Sequence, residues 1–168
     1  MFLWYFWIYS FLGWLLELAF AALSRSEDRR RRCMLLLPLC PVYGLGMLAV
    51  LTLPPMGWVG LIVLGGLAAT AVEYVYHWAG ERFLGVRFWD YSQVPGNLHG
   101  RVCPSFALAW GLLAALAVRF LQPGVEILEV PPVVTFGFLL LFTADAVCSL
   151  RFLQVTGDLN GMRTAWTL

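Results

Sequence analysis

Apolar residues in this chain fall into long continuous runs rather than alternating with polar ones. The runs cover residues 2–23, 35–53, 57–78, 102–121 and 133–153. Each is close to the roughly 20 residues that an α-helix needs to cross the hydrocarbon core of a bilayer. A membrane β-barrel would show strict alternation instead. The pattern therefore predicts an all-α membrane protein, a bundle of about five transmembrane helices forming one integral membrane domain over residues 1–168. An arginine cluster, Pro54 with Pro55, a polar segment over 79–101 and a stretch from Pro123 to Pro132 separate the runs. The segment between the third and fourth runs is too polar to span. Phe83, Phe88, Trp89 and Tyr91 are interleaved there with Arg82, Arg87 and Asp90. That mixture fits an interfacial cytoplasmic segment, or a partly re-entrant lid over the bundle.

Composition strengthens the membrane assignment. Hydrophobic residues make up 61% of the chain and charged residues 12%, against about 25% charged in soluble domains. A small soluble domain leaves too much of its chain exposed to hide such a composition. The lipid bilayer is the expected partner. With a net charge of +1, no nucleic acid is expected. All eleven basic residues are Arg, which excludes a lysine Schiff base and the P-loop lysine. Any ATP would be bound by a separate ATPase or other partner subunit. Cys33, Cys40, Cys103 and Cys148 show no ligand spacing, so they read as packing residues, with no metal and no cofactor expected.

The arginines give an orientation. Arg25 and Arg29 to Arg32 follow the first apolar run rather than precede it, so the run is retained rather than cleaved as a signal peptide. Lys and Arg in short loops mark the cytoplasmic side. Placing this cluster inside also places Arg82, Arg87, Arg101, Arg151 and Arg163 inside, with only Arg119 near the outer face. The expected topology is multi-pass, with the N-terminus outside and the C-terminus cytoplasmic. Trp4, Tyr5, Trp7 and Trp58 would then form an outer aromatic belt, and Trp78, Trp89 and Tyr91 an inner one.

Glu17, Glu73 and Asp145 lie within the runs. An aspartate at mid-membrane costs about 2.5–3.5 kcal/mol, so these acids must be paired, face water or sit near an interface. Counting about 1.5 Å per residue puts Glu17 and Glu73 in one cytoplasmic layer, with Asp145 slightly deeper. Tyr9, Gly13 and Glu17 share one helical face. Gly66, Thr70, Glu73, His77 and Glu81 form another, and Thr135, Phe138, Phe142, Asp145 and Ser149 a weaker third. All three should face inward, with Arg87, Arg101 and His77 as candidate counter-charges. The acids and arginines could equally form a structural ion-pair cluster.

Four segments resemble a known family. Residues 9–17 (YSFLGWLLE), residues 40–46 (CPVYGLG), Glu73-Tyr74 followed by residues 85–92 (GVRFWDYS), and residues 97–103 (NLHGRVC) are similar, in order, to motifs of the bacterial ABC transporter type IV, permease-like membrane proteins. The sequence departs from that pattern around His99 and before Pro38. The resemblance implies a small bacterial membrane protein with a transport role.

Three functions remain open on the sequence. The first is a permease-like subunit, with a polar, cytoplasm-facing intramembrane site at Glu17, Glu73, His77, Arg87, Asp90, Asn97, Arg101 and Asp145. Five helices are few for a complete transporter, so a homodimer or an energising partner is expected. The second is a membrane enzyme acting on a lipid or lipid-linked substrate, with carboxylates beside His77 and His99 as acid and base. HExxH and GxSxG are absent, so no catalytic residue is assigned. The third is a non-catalytic scaffold or regulatory subunit.

Overall fold

A computed structural model describes residues 1–23 and 33–164. The arginines at 25 and 29–32, on which the orientation rests, lie outside the described residues. The described residues form an all-α membrane bundle without named strands. Helix α1 is Phe2–Leu23, α2 Pro41–Leu51, α3 Trp58–Leu84, α4 Pro104–Glu126, α5 Pro132–Thr156 and α6 Leu159–Thr164. Among them α1, α3, α4 and α5 are long and apolar enough to cross a membrane. Proline opens α2, α4 and α5, where its fixed φ suits a first turn and its missing N–H costs nothing.

The second apolar run departs from the expected crossing. Its helix has 11 residues, about 16 Å of rise and half of what the hydrocarbon core requires. Residues 33–40 are non-helical, because Pro38 and Pro41 disfavour helix in the residues before them. This stretch is nonetheless packed inside, with Leu35 and Leu39 buried against Trp7. Non-helical backbone at membrane depth survives only when protein satisfies its polar groups. Here Asp145 of α5 accepts from the backbone N–H of Leu36 at 2.9 Å and of Leu37 at 2.7 Å. The Cys40 N–H bonds to the Ser10 carbonyl of α1 at 2.9 Å.

Close contacts order the rest. α1 packs on α2, α2 on α3, and α3 on α4. Gly13 leaves no room for a Cβ against the Tyr43 ring, which fixes the α1–α2 approach. Gly66 and Gly111 do the same between α3 and α4, as small residues do at membrane helix seams. α5 meets α1 through large side chains. Trp7 and Phe138 have ring centroids 4.6 Å apart, and the Trp4 indole donates to Thr135 at 2.9 Å. Trp7, placed in an outer belt by its position in the sequence, is therefore a core residue at 2% exposure. Trp89 and Tyr91 are likewise buried rather than interfacial, whereas Trp78 and Phe83 are exposed.

Candidate functional site

The polar stripe of α3 runs from the bundle interior to the loop that follows it. α3 ends in a wide turn over Gly80–Leu84, capped by Gly85 in a left-handed conformation with φ of 68°. That cap reverses the chain, so residues 86–103 fold back under the helices. Val86, Phe88, Trp89 and Tyr91 are all buried in a cluster with Cys33, Cys40 and Cys103.

The loop's polar residues hold its own shape. Asp90 accepts from the Ser92 N–H at 2.8 Å, and this bond keeps its carboxyl below the usual carboxylate range. Asn97 donates to the Val94 carbonyl at 2.8 Å and to that of Ser92 at 3.1 Å, and it accepts from the Gly100 N–H at 2.9 Å. The Trp89 indole donates to the Arg101 carbonyl at 2.7 Å. Asp90 and Asn97 thus serve the turn.

Glu81 gathers the cations. Among the described residues its carboxylate meets Arg101 at 2.6 Å, Arg87 at 2.8 Å and His77 at 3.5 Å. Arg101, Arg87 and His77 were expected as counter-charges for the deeper acids, but they meet at Glu81, about two turns of helix nearer the loop than Glu73. Hydrogen bonding to Glu81 raises the Arg101 guanidinium pKa above its ordinary value. Arg101 also donates to the Tyr74 hydroxyl at 2.8 Å. That hydroxyl lies 2.9 Å from His99 Nδ1, and having accepted from Arg101 it donates there. This network ties the loop to α3.

Glu17 and Glu73 sit apart from it and together. Both line a cavity of about 410 Å³ whose walls include Tyr43, Trp89, Tyr91, Phe106 and Trp110. The Tyr43 ring lies over Gly13, and its hydroxyl reaches one turn along α1 to donate to Glu17 at 2.9 Å. Glu73 is 4% exposed. The Tyr91 hydroxyl donates to its Oε1 over a long 3.4 Å, and the Trp110 indole is a second hydrogen-bonding neighbour of the carboxyl group. Its Oε2 has no partner within hydrogen-bond distance. Among the described residues no cation pairs with either acid. His77 and His99 are not among the lining residues.

Asp145 is elsewhere. It bonds to Leu36, Leu37 and the Ser149 hydroxyl, the last at 2.7 Å. Its stripe on α5 faces α1 and the non-helical stretch, not the cavity. The eight sequence candidates therefore divide into a cavity pair (Glu17, Glu73), a network around Glu81 (His77, Arg87, Arg101), two loop-shaping residues (Asp90, Asn97) and a backbone acceptor (Asp145). Sequence reasoning passed over Glu81 as a hub, and over Tyr43, Tyr91 and Trp110 as cavity walls. The motif at residues 40–46 and the Glu81 position on the α3 stripe were the available signals.

No curated protein and no solved structure matches the chain. The family model described as "Putative ABC-transporter type IV" matches residues 4–150. The chain belongs to that family.

Proposed function

We propose that this protein is the substrate-binding membrane subunit of a transporter, with the Glu17 and Glu73 cavity as its site. Family membership supports a transport-related membrane subunit. The observation that carries the finer reading is Glu73 Oε2, a buried acceptor without a partner beside an internal hollow. An acid buried this way is costly, and a structural role would normally supply the missing donor. A catalytic role has less support, because His77 is committed to Glu81 and neither histidine borders the hollow.

In this reading a separate ATPase supplies the energy, since the chain lacks the lysine of a P-loop. A second copy of the chain completes the pathway. The arginine distribution favours an inner-membrane protein with its N-terminus outside and the Glu81 end cytoplasmic. Arg119 is the exception at the end opposite Glu81, where it donates to the Met56 carbonyl at 2.7 Å beside Trp58.

The test is uptake and efflux of a labelled panel of small metabolites and amphiphiles by cells producing wild type, Glu73→Gln or Glu17→Gln, with folded protein measured in parallel. The reading expects movement of at least one compound that both substitutions abolish while the protein remains folded. Unchanged transport in both variants rejects the site. Crosslinking that captures no ATPase rejects the energised subunit.

A further inference from the structure

Beyond the cavity at Glu73 lies a second hollow of about 300 Å³, reaching along the bundle to Tyr9. The two share Leu16, Tyr43, Trp110 and Leu113, so they adjoin as two segments of one groove, with the Tyr43 and Trp110 rings, 4.7 Å apart, at their junction. Its length follows from α1: Glu17 and Tyr9 are eight residues apart, about 12 Å along the helix. Polar chemistry is concentrated at the Glu17 and Glu73 end, and the walls between that end and Tyr9 are almost wholly apolar.

The groove lies between α1 and α4. These helices meet at the Tyr9 end, where the Tyr9 hydroxyl donates to Gln122 at 2.8 Å and Leu12 packs with Ala114 and Ala117. They diverge toward Glu17, while α2 and α3 close the other side. The rim is apolar and exposed, with Leu16, Phe20 and Leu23 on α1 and Leu112, Leu116 and Leu121 on α4. In a membrane bundle, exposed apolar side chains face lipid. The opening therefore gives onto the acyl chains rather than onto water.

The polar end specifies a head group. Glu73 Oε2 lacks a donor, and Arg87 and Arg101 are committed to Glu81. An incoming group must then carry both the donor and the positive charge. A protonated primary amine brings three N–H donors on one compact cation. The walls beside Glu73 include the aromatic residues Trp89, Tyr91 and Trp110, whose rings suit a cation better than an anion. Two carboxylates repel a phosphate or sulfate head. A small hydrophilic amine would leave the apolar length empty.

We propose that the groove binds a single-chain amphiphile with a protonated primary amine head, entering sideways from the bilayer between α1 and α4. This rests on the cavity being the binding site, and it adds the class of ligand. Binding is read from retention of radiolabelled dodecylamine, dodecanol or dodecyl sulfate by the full chain in phosphatidylcholine nanodiscs. Empty nanodiscs correct for partition into lipid.

The expected result is saturable binding of dodecylamine at least tenfold tighter than dodecanol, with dodecyl sulfate weaker still. Glu73→Gln should reduce dodecylamine to the level of dodecanol, and Ala109→Trp, which fills the groove, should abolish both. Dodecylamine no tighter than dodecanol overturns the amine assignment, and that comparison needs no variant. If Ala109→Trp still removes dodecanol binding in that case, the cavity reading stands without it. If Ala109→Trp, folded by size-exclusion, leaves both ligands bound as in wild type, both readings fail. A preference for dodecylamine that survives in folded Glu73→Gln overturns the role of Glu73.

Discussion

Two buried acids behave in opposite ways. Asp145 and Glu73 are 9% and 4% exposed, and both lie on membrane helices. Asp145 accepts two backbone N–H groups and a hydroxyl, each within 2.9 Å. Glu73 has a long bond from Tyr91, the Trp110 indole as a neighbour and one oxygen without a partner, beside a hollow. The fold needs the first acid, because without it the non-helical stretch before α2 would carry unsatisfied donors at membrane depth. Nothing in the bundle depends on the second in that way. Burial alone does not mark a site in a membrane bundle. In the proposed reading the site is marked by burial with an unmet hydrogen bond on an acid that lines a hollow.

This contrast can be broken by experiment. Asp145→Ala strands two backbone donors and the Ser149 hydroxyl, and it should cost about 3 kcal/mol in unfolding of the purified protein. An unfolding curve that does not move would deny the corner its structural role. Glu81→Ala releases Arg101, Arg87 and His77 together, and the Tm in detergent should fall by several degrees. An unshifted Tm would mean that the network only decorates the loop. Tyr43→Phe removes one hydrogen bond to a carboxylate and should cost about 1.5 kcal/mol, with weaker dodecylamine binding because Glu17 loses its support. Glu73→Gln keeps the size and the Tyr91 contact, so its stability should stay within about 1 kcal/mol of wild type while amine binding is lost. A large destabilisation with unchanged binding would turn Glu73 into a second Asp145.

Much of the fold was legible because membrane helices announce themselves by length and apolarity. α1, α3, α4 and α5 follow the apolar runs within a few residues at most of their ends. The face carrying Tyr9, Gly13 and Glu17 does line the groove, since helical periodicity alone puts those residues on one side. The broken second crossing was less legible. Leu35 to Cys40 is as apolar as a helix, and only Pro38 and Pro41 hinted otherwise. Its acceptor lies 109 residues away from Leu36. Tryptophans were misleading for a related reason: an indole fits an interface or a core equally well, and composition does not distinguish them.

The sequence by itself determined that this chain lives in lipid, that its spans are helical and that three acids lie inside them. Each follows from local quantities, the run of apolar residues, its length and the cost of a buried charge. Only the tertiary structure decided that Asp145 serves the backbone, that Glu17 takes the Tyr43 hydroxyl, that one oxygen of Glu73 stays unpartnered, and that Glu81 rather than any of these three meets the arginines. That sorting depends on where the loop after Gly85 and the bends before Pro41 bring their donors. The bundle brings Asp145 to the bends and Glu81 to Arg87 and Arg101, and leaves Glu73, with its Oε2 buried and unpartnered, in the wall of a hollow between α1 and α4.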